Sequence, residues 1–387
     1  MRWRDFRLNL RYSEEQLNGF FNTKNQQSEN IQQESAHLEY DLLTLKDLNL
    51  TLRSSFQYIR QTSYDINNQQ SSRIEDNEFN IGLDGRYQLN EDHLLLAGME
   101  WRYATVKGDI LSGKRDVFGV YIQDQYRFNQ QLELTLGLRY DHYSDGNQAI
   151  NPRFSLVYTT DFNSTFKLMY GQAFRAPSIR QISRTQGLGE AGLKSEDIKT
   201  LEFAWLHTFF NNYHTSLTYF HSWSENKIDT IINRNRQLSD FKRKFTNIEG
   251  TLKTSGIEFE LQAQITDEFS LRSSYTYLLS TETNPRRVAK NTFSLIAMYE
   301  YNDFNINLNG YYHSEMDQET SNKITELDDY WLLNANVRYQ MTNWLAIVSQ
   351  GHNLLNEQYF SSTKLANEPS GIPNRGRTYS VGVDVTF

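Results

Sequence analysis

The stretch R-G-R-T-Y-S-V-G-V-D-V-T-F, from Arg375 to Phe387, closes the chain and decides how the rest is read. Successive side chains of an extended strand point to opposite faces. Tyr379, Val381, Val383, Val385 and Phe387 therefore share one face, and Thr378, Ser380, Gly382, Asp384 and Thr386 share the other. An apolar face backed by a polar one over about ten residues is the pattern of a strand with lipid on one side and water on the other. The pattern recurs upstream. Leu132, Leu134, Leu136, Leu138 and Tyr140 oppose Glu133, Thr135, Gly137, Arg139 and Asp141, and Phe304, Ile306 and Leu308 oppose Asn305, Asn307 and Asn309.

Composition narrows the classes. The mean hydropathy is −0.68 and 38% of residues are hydrophobic. No apolar run exceeds the five residues of Leu295–Tyr299 or Trp344–Val348, so no transmembrane helix is encoded. A β-barrel escapes that exclusion, because only alternate residues meet lipid while loops stay polar. The 24 Tyr, 23 Phe and 6 Trp suit membrane interfaces, where rings sit in apolar surroundings with a wet polar edge. There is no Cys, hence no disulfide or thiolate chemistry. A net charge of −8 argues against a nucleic-acid partner. The amino terminus, M-R-W-R-D-F-R-L-N-L, has no apolar signal segment and already reads as a strand.

Short connections are expected near Ser13-Glu14, Lys46-Asp47, Asn90-Glu91, Asn129-Gln130, Thr160–Phe162, Asn211-Asn212, Thr266-Asp267, Asn302-Asp303 and Thr342-Asn343. Longer polar connections fall roughly at 24–34, 61–76, 107–114, 143–150, 175–196, 231–243, 281–289, 315–328 and 354–375. Together they predict about nineteen strands in an all-β, transmembrane antiparallel barrel with tight periplasmic turns and long external loops. The first long loop follows the second strand, so the first strand runs inward. An odd count that starts outside predicts a barrel incomplete at its front.

Several segments together resemble the barrel of TonB-dependent outer-membrane receptors. V-F-G-V-Y-I-Q-D-Q-Y-R-F (Val117–Phe128) followed by L-E-L-T-L-G-L-R-Y-D (Leu132–Asp141) is similar to a recurrent hairpin of that family. N-P-R-F-S-L-V-Y (Asn151–Tyr158) and Y-G-Q-A-F-R-A-P-S (Tyr170–Ser178) follow in the family's order. So do L-K-S-E-D-I-K-T-L-E-F (Leu193–Phe203), Asn247–Glu260, H-N-L-L-N-E-Q-Y (His352–Tyr359) and I-P-N-R-G-R-T-Y (Ile372–Tyr379). The resemblance implies a barrel of about 22 strands around a plug. It also implies import of scarce ligands such as ferric siderophores or cobalamin, with energy from the TonB–ExbB–ExbD complex. On that reading residues 1–387 are a partial barrel domain without plug, TonB box or signal peptide. Tyr379, Val381, Val383, Val385 and Phe387 become the signal read by the barrel-assembly machinery.

Candidate ligand-facing residues are cations in the outer loops. Arg234, Arg236, Lys242, Arg243 and Lys244 form the clearest basic cluster, and Arg286-Arg287 stands beside Pro285. Such groups suit an anionic ferric siderophore or lipopolysaccharide phosphates; a solvated loop is the favoured reading, since charge runs usually are solvated. Arg175 has two readings: it meets plug or ligand, or it pairs with a wall carboxylate at a strand exit whose φ is set by Pro177. The second is favoured. No His lies between Arg175 and Leu206, which disfavours haem. No triad, carboxylate pair or metal cluster stands out, so no enzyme activity and no cofactor are expected. A passive porin is the alternative function; porins usually have 16–18 strands.

Overall fold

The alternation becomes hydrogen-bonded ladders. A computed structural model describes residues 2–3, 6–18, 28–65, 67–109, 111–186, 192–232, 243–281, 287–320, 323–363 and 370–386. Its large sheet contains nineteen strands. The chain divides into two compact units, one of Met1–Leu156, Tyr170–Lys199 and Ser224–Thr251, the other of Val157–Met169, Thr200–Trp223 and Leu252–Phe387.

In the first unit β1 (Arg2–Trp3) is a stub on β2 (Phe6–Asn18). An up-and-down antiparallel meander follows: β3 (Ser28–Thr44), β4 (Leu48–Tyr64), β5 (Gln70–Gln88), β6 (His93–Gly108), β7 (Leu111–Arg127) and β8 (Leu132–Tyr143). β9 (Gln148–Thr159) and β10 (Ser164–Arg175) are divided between the two units, α1 (Ile179–Gln186) lies in the first, β11 (Glu196–Phe209) only starts there, and β12 (Tyr213–Glu225) falls almost wholly in the second. A small hairpin, β13 (Ile228–Ile232) with β14 (Arg243–Asn247), completes the first unit.

In the second unit β15 (Thr251–Gln264), β16 (Phe269–Thr281), β17 (Asn291–Tyr301) and β18 (Phe304–His313) pair in sequence. The hairpin β19 (Met316–Thr320) and β20 (Lys323–Leu327) stands outside that ladder. β18 pairs next with β21 (Tyr330–Thr342), then β22 (Leu345–His352). After the short pair β23 (Phe360–Ser361) and β24 (Ile372–Pro373), β25 (Thr378–Val385) joins β22. The register sets Val381 opposite Ser349 and Val383 opposite Ile347.

Register sorts the faces. Ile81, Trp101 and Phe118 lie in one row across β5, β6 and β7, with Leu83, Met99 and Val120 in the next. This face is the exposed one: Ile122 is 57% exposed, whereas Asp141 on the opposite face is 3% exposed. Apolar outside and polar inside inverts a water-soluble protein and fits a wall between lipid and water. Each backbone group left unpaired in hydrocarbon costs several kcal/mol, and the strands pair along nearly their whole length, with single register shifts at Asp41/Leu43, Ser63/Tyr64, Ser255/Gly256 and Gln340/Thr342.

The inner turns are built by Asn and Thr. Asn90 Oδ1 accepts the N–H groups of Asp92 and His93, both at 2.9 Å, and Asn129 does the same for Gln131 and Leu132. Asn163, Asn211 and Asn302 adopt positive φ, which Asn tolerates well.

One expected turn is overturned. Ser13-Glu14 lies within β2, where the Glu14 carboxylate accepts hydrogen bonds from Tyr12, Asn30 and Gln32. The pair is polar because it lies on the outer part of the wall, beyond the lipid-facing rows. The strands also run further into the expected loops: β5 has 19 residues, against about 9–11 needed to cross a bilayer.

Candidate functional site

The wet face of β4–β8 carries a ladder of ion pairs laid flat against the sheet. Arg53 pairs with Asp84, whose other oxygen accepts from Tyr121 Oη at 2.5 Å. Arg139 reaches Glu100 on one side and Asp141 on the other, with Nε 2.9 Å from Asp141 Oδ2. Glycines make this possible. A Cβ on Gly98 would stand 2.6 Å from the Tyr121 ring, one on Gly119 2.6 Å from the Arg139 guanidinium, and one on Gly137 2.7 Å from Arg153. Along this ladder Arg53, Asp84, Glu100, Arg139 and Asp141 thus satisfy one another within the wall.

Above this ladder the Phe174-Arg175-Ala176-Pro177-Ser178 segment leaves β10, and each residue has a partner or a place. Phe174 meets Tyr143 edge-on at 5.6 Å. Arg175 forms a bidentate pair with Glu196, at 2.5 and 2.6 Å. Pro177 is fully buried, and its carbonyl accepts from Arg115 at 2.6 Å. Ser178 caps α1: its Oγ accepts the N–H of Gln181, while the Gln181 side chain accepts the N–H of Ser178. That reciprocal arrangement is a capping box. Ile179 then seats on β7 over Gly113, where any side chain would collide with it.

Glu196 holds more than Arg175, because Oε1 also accepts the N–H of Ile228 at 2.5 Å. At the same end of the hairpin, where Asn247 is the register partner of Ile228, Asn247 bonds Lys194 N and O and Asn226 O. Two side chains therefore tie the β13–β14 hairpin to the start of β11. Burial pulls the Glu196 carboxyl upward, but Arg175 and the Ile228 N–H outweigh it and hold the group below its ordinary range.

Beneath α1 lies a cavity of about 710 Å³ on the wet face, lined among others by Asp76, Glu78, Arg102, Arg115, Arg175 and Arg180. Arg115 is neutralised by Asp145 at 2.5 Å and lies over the Tyr143 ring. A half-enclosed space whose largely apolar lining carries charged groups of both signs can hold a small ligand and orient it.

Of the sequence candidates, Arg175 lines this cavity. Arg243 and Lys244 stand in β14 opposite Ile232 and Ile231. Arg234, Arg236, Lys242, Arg286 and Phe387 lie outside the described residues. Arg287 belongs to the second unit, with φ 69° and its N–H on the Asp317 carbonyl. Sequence reasoning passed over Asp76, Glu78, Arg102 and Arg180. The signal for the helix that roofs the cavity was present, as Ser178-x-x-Gln181 with Ile179 and Ile182.

Comparison with known proteins agrees. The family model "TonB dependent receptor-like, beta-barrel" matches residues 2–354. The chain belongs to the TonB-dependent receptor family. It is 24% identical over 332 residues to an iron-regulated outer membrane virulence protein of Vibrio cholerae, covering 76% of this chain and 49% of that protein. It is 23% identical over 323 residues to the vitamin B12 transporter BtuB of the same species, covering 80% and 49%. The chain thus spans about half the length of these curated relatives. Among solved structures, the siderophore receptor PirA of Acinetobacter baumannii superposes with a TM-score of 0.78 at 15% identity, covering 100% of this chain and 69% of that one. The FrpB iron transporter of Neisseria meningitidis gives 0.78 at 16%, covering 99% and 69%. The fold is the transmembrane antiparallel β-barrel of this family, and the location is the bacterial outer membrane.

Proposed function

We propose that this receptor takes up a scarce iron chelate, a ferric siderophore or a similar small ligand, across the outer membrane. The observation that carries the reading is the cavity under α1, on the wet face of a wall of this family, with cations and carboxylates turned into it. Energy would come from the TonB–ExbB–ExbD complex. Tyr379, Val381, Val383, Val385 and Phe387 would present the last strand to the barrel-assembly machinery. Lipopolysaccharide would surround the outer rim, where Arg60 and Arg73 share Glu75.

Uptake of radioactive ferric chelates by iron-starved cells, with and without the gene, tests the reading. Uptake should fall to background in the deletion strain and also when a protonophore collapses the membrane potential. Uptake that rises linearly with external concentration and ignores the protonophore would instead assign a passive porin.

A further inference from the structure

The cavity beneath α1 has an unusual charge balance. Two of its four lining arginines are already neutralised: Arg115 by Asp145, and Arg175 by both oxygens of Glu196. The other two are open. Arg180 is exposed at the start of α1. Arg102 reaches only Glu100, at 3.8 Å, and that carboxylate is already held by Arg139; the Nε of Arg102 is buried with no partner.

Facing them are Asp76 and Glu78, two residues apart on the wet face of β5. In register Asp76 is flanked by Ile59 and Val106, and Glu78 by Gln57 and Ala104. Neither therefore has a cation directly opposite it; Arg102 on β6 stands diagonally from Glu78, and among the described residues neither carboxylate forms an ion pair. Open charge in the cavity sums to zero: two carboxylates against two guanidiniums.

A polyanion entering this space would gain Arg102 and Arg180 but would bring its charge against two uncompensated carboxylates. Like charge set against a ligand is how sites reject a competitor. A ligand with an organic cation at one end meets no such conflict. Its ammonium would donate to Asp76 and Glu78, its chelate oxygens would accept from Arg102 and Arg180, and Ile59, Val106 and Phe174 would cover a methylene spacer. We infer that this cavity selects an iron chelate carrying an ammonium group, and discriminates against polyanionic chelates. The inference rests on the importer reading and narrows its substrate class.

The test measures binding to outer membranes from cells producing the full-length gene product. Three probes are used: a ferric linear trihydroxamate with a free terminal amine, its N-acetylated form, and a ferric tris-catecholate trianion. The amine-bearing chelate should bind about tenfold or more tightly than the acetylated one, and more tightly than the trianion. The pair Asp76→Asn/Glu78→Gln keeps shape and removes charge. It should erase the preference for the amine while improving the trianion, a gain that misfolding cannot produce. A trianion favoured by the unaltered receptor, or an amine preference that survives the double change, overturns the inference. Energy-dependent uptake of the trianion alone would sink the inference and leave the importer standing. Uptake that ignores the protonophore would sink the importer reading, whatever the binding preference.

Discussion

Gly98 shows how much depends on a missing side chain. It faces Tyr121 across β6 and β7, and the phenol ring lies over it to reach Asp84. A Cβ there must push a stiff ring away, break the Tyr121–Asp84 bond and leave Asp84 to Arg53 alone. Gly98→Ala should therefore destabilise the wall by about 1–3 kcal/mol, the usual range for overpacking and a lost polar partner. Gly382→Ala is the matched control, since nothing lies within 4 Å of the Cβ it would gain. Urea midpoints in lipid vesicles, followed by heat-modifiable gel migration, compare the two; equal midpoints would remove the cradle argument. The glycines were visible in G-M-E-W, F-G-V-Y and L-G-L-R-Y. What each one supports was not, because the covering side chain comes from a neighbouring strand and appears only with the register.

At the scale of elements, the β13–β14 hairpin hangs on Glu196 and Asn247. Arg175 is half exposed, so the Arg175–Glu196 pair itself is worth about 0–1 kcal/mol. Its larger effect is to compensate a carboxylate that is 8% exposed. Arg175→Ala should raise hydrogen exchange in Ile228–Ile232 and Arg243–Asn247 while leaving β3–β6 unchanged. Because the Glu196 carboxyl is held below its ordinary value of 4.5, the folded state gains from it at higher pH. That contribution is fully present above about 4.5 and is lost as the pH falls through the lowered value. Protection of the hairpin amides, taken relative to their intrinsic exchange rates, should therefore fall on acidification in the parent, and Glu196→Gln should abolish that dependence. A hairpin equally protected in all three proteins would show that the tie is idle. The inner turns were legible because Asn, Asp and Thr build them locally. The outer boundaries were not, because beyond the membrane both faces of a strand are wet and the alternation that marks it fades, as at Ser13-Glu14. α1 was missed for a similar reason: eight residues give little periodicity, and only its capping box announced it.

For the whole molecule, the exposed face is the apolar one, and the physics of that inversion can be tested on adjacent residues. Leu308 and Asn309 are neighbours in β18; Leu308 lies in register with Ala297 and Ala335, and Asn309 with Ile296 and Asn334. Leu308 is 43% exposed, which a water-soluble protein would tolerate as a charge. In a wall facing lipid the same position sits roughly midway across the hydrocarbon, where an arginine costs about 2–4 kcal/mol. Asn309, on the face shared with Asn307, Asn334 and Asn336, meets water and polar groups. Leu308→Arg should therefore lower the folding free energy into bilayers by that amount, and Asn309→Arg should change it by less than about 1 kcal/mol. The cost of Leu308→Arg should shrink in thinner bilayers, since the charge then lies closer to an interface. Reversed or equal costs, with no dependence on bilayer thickness, would place lipid on the wrong face of every strand in this ladder.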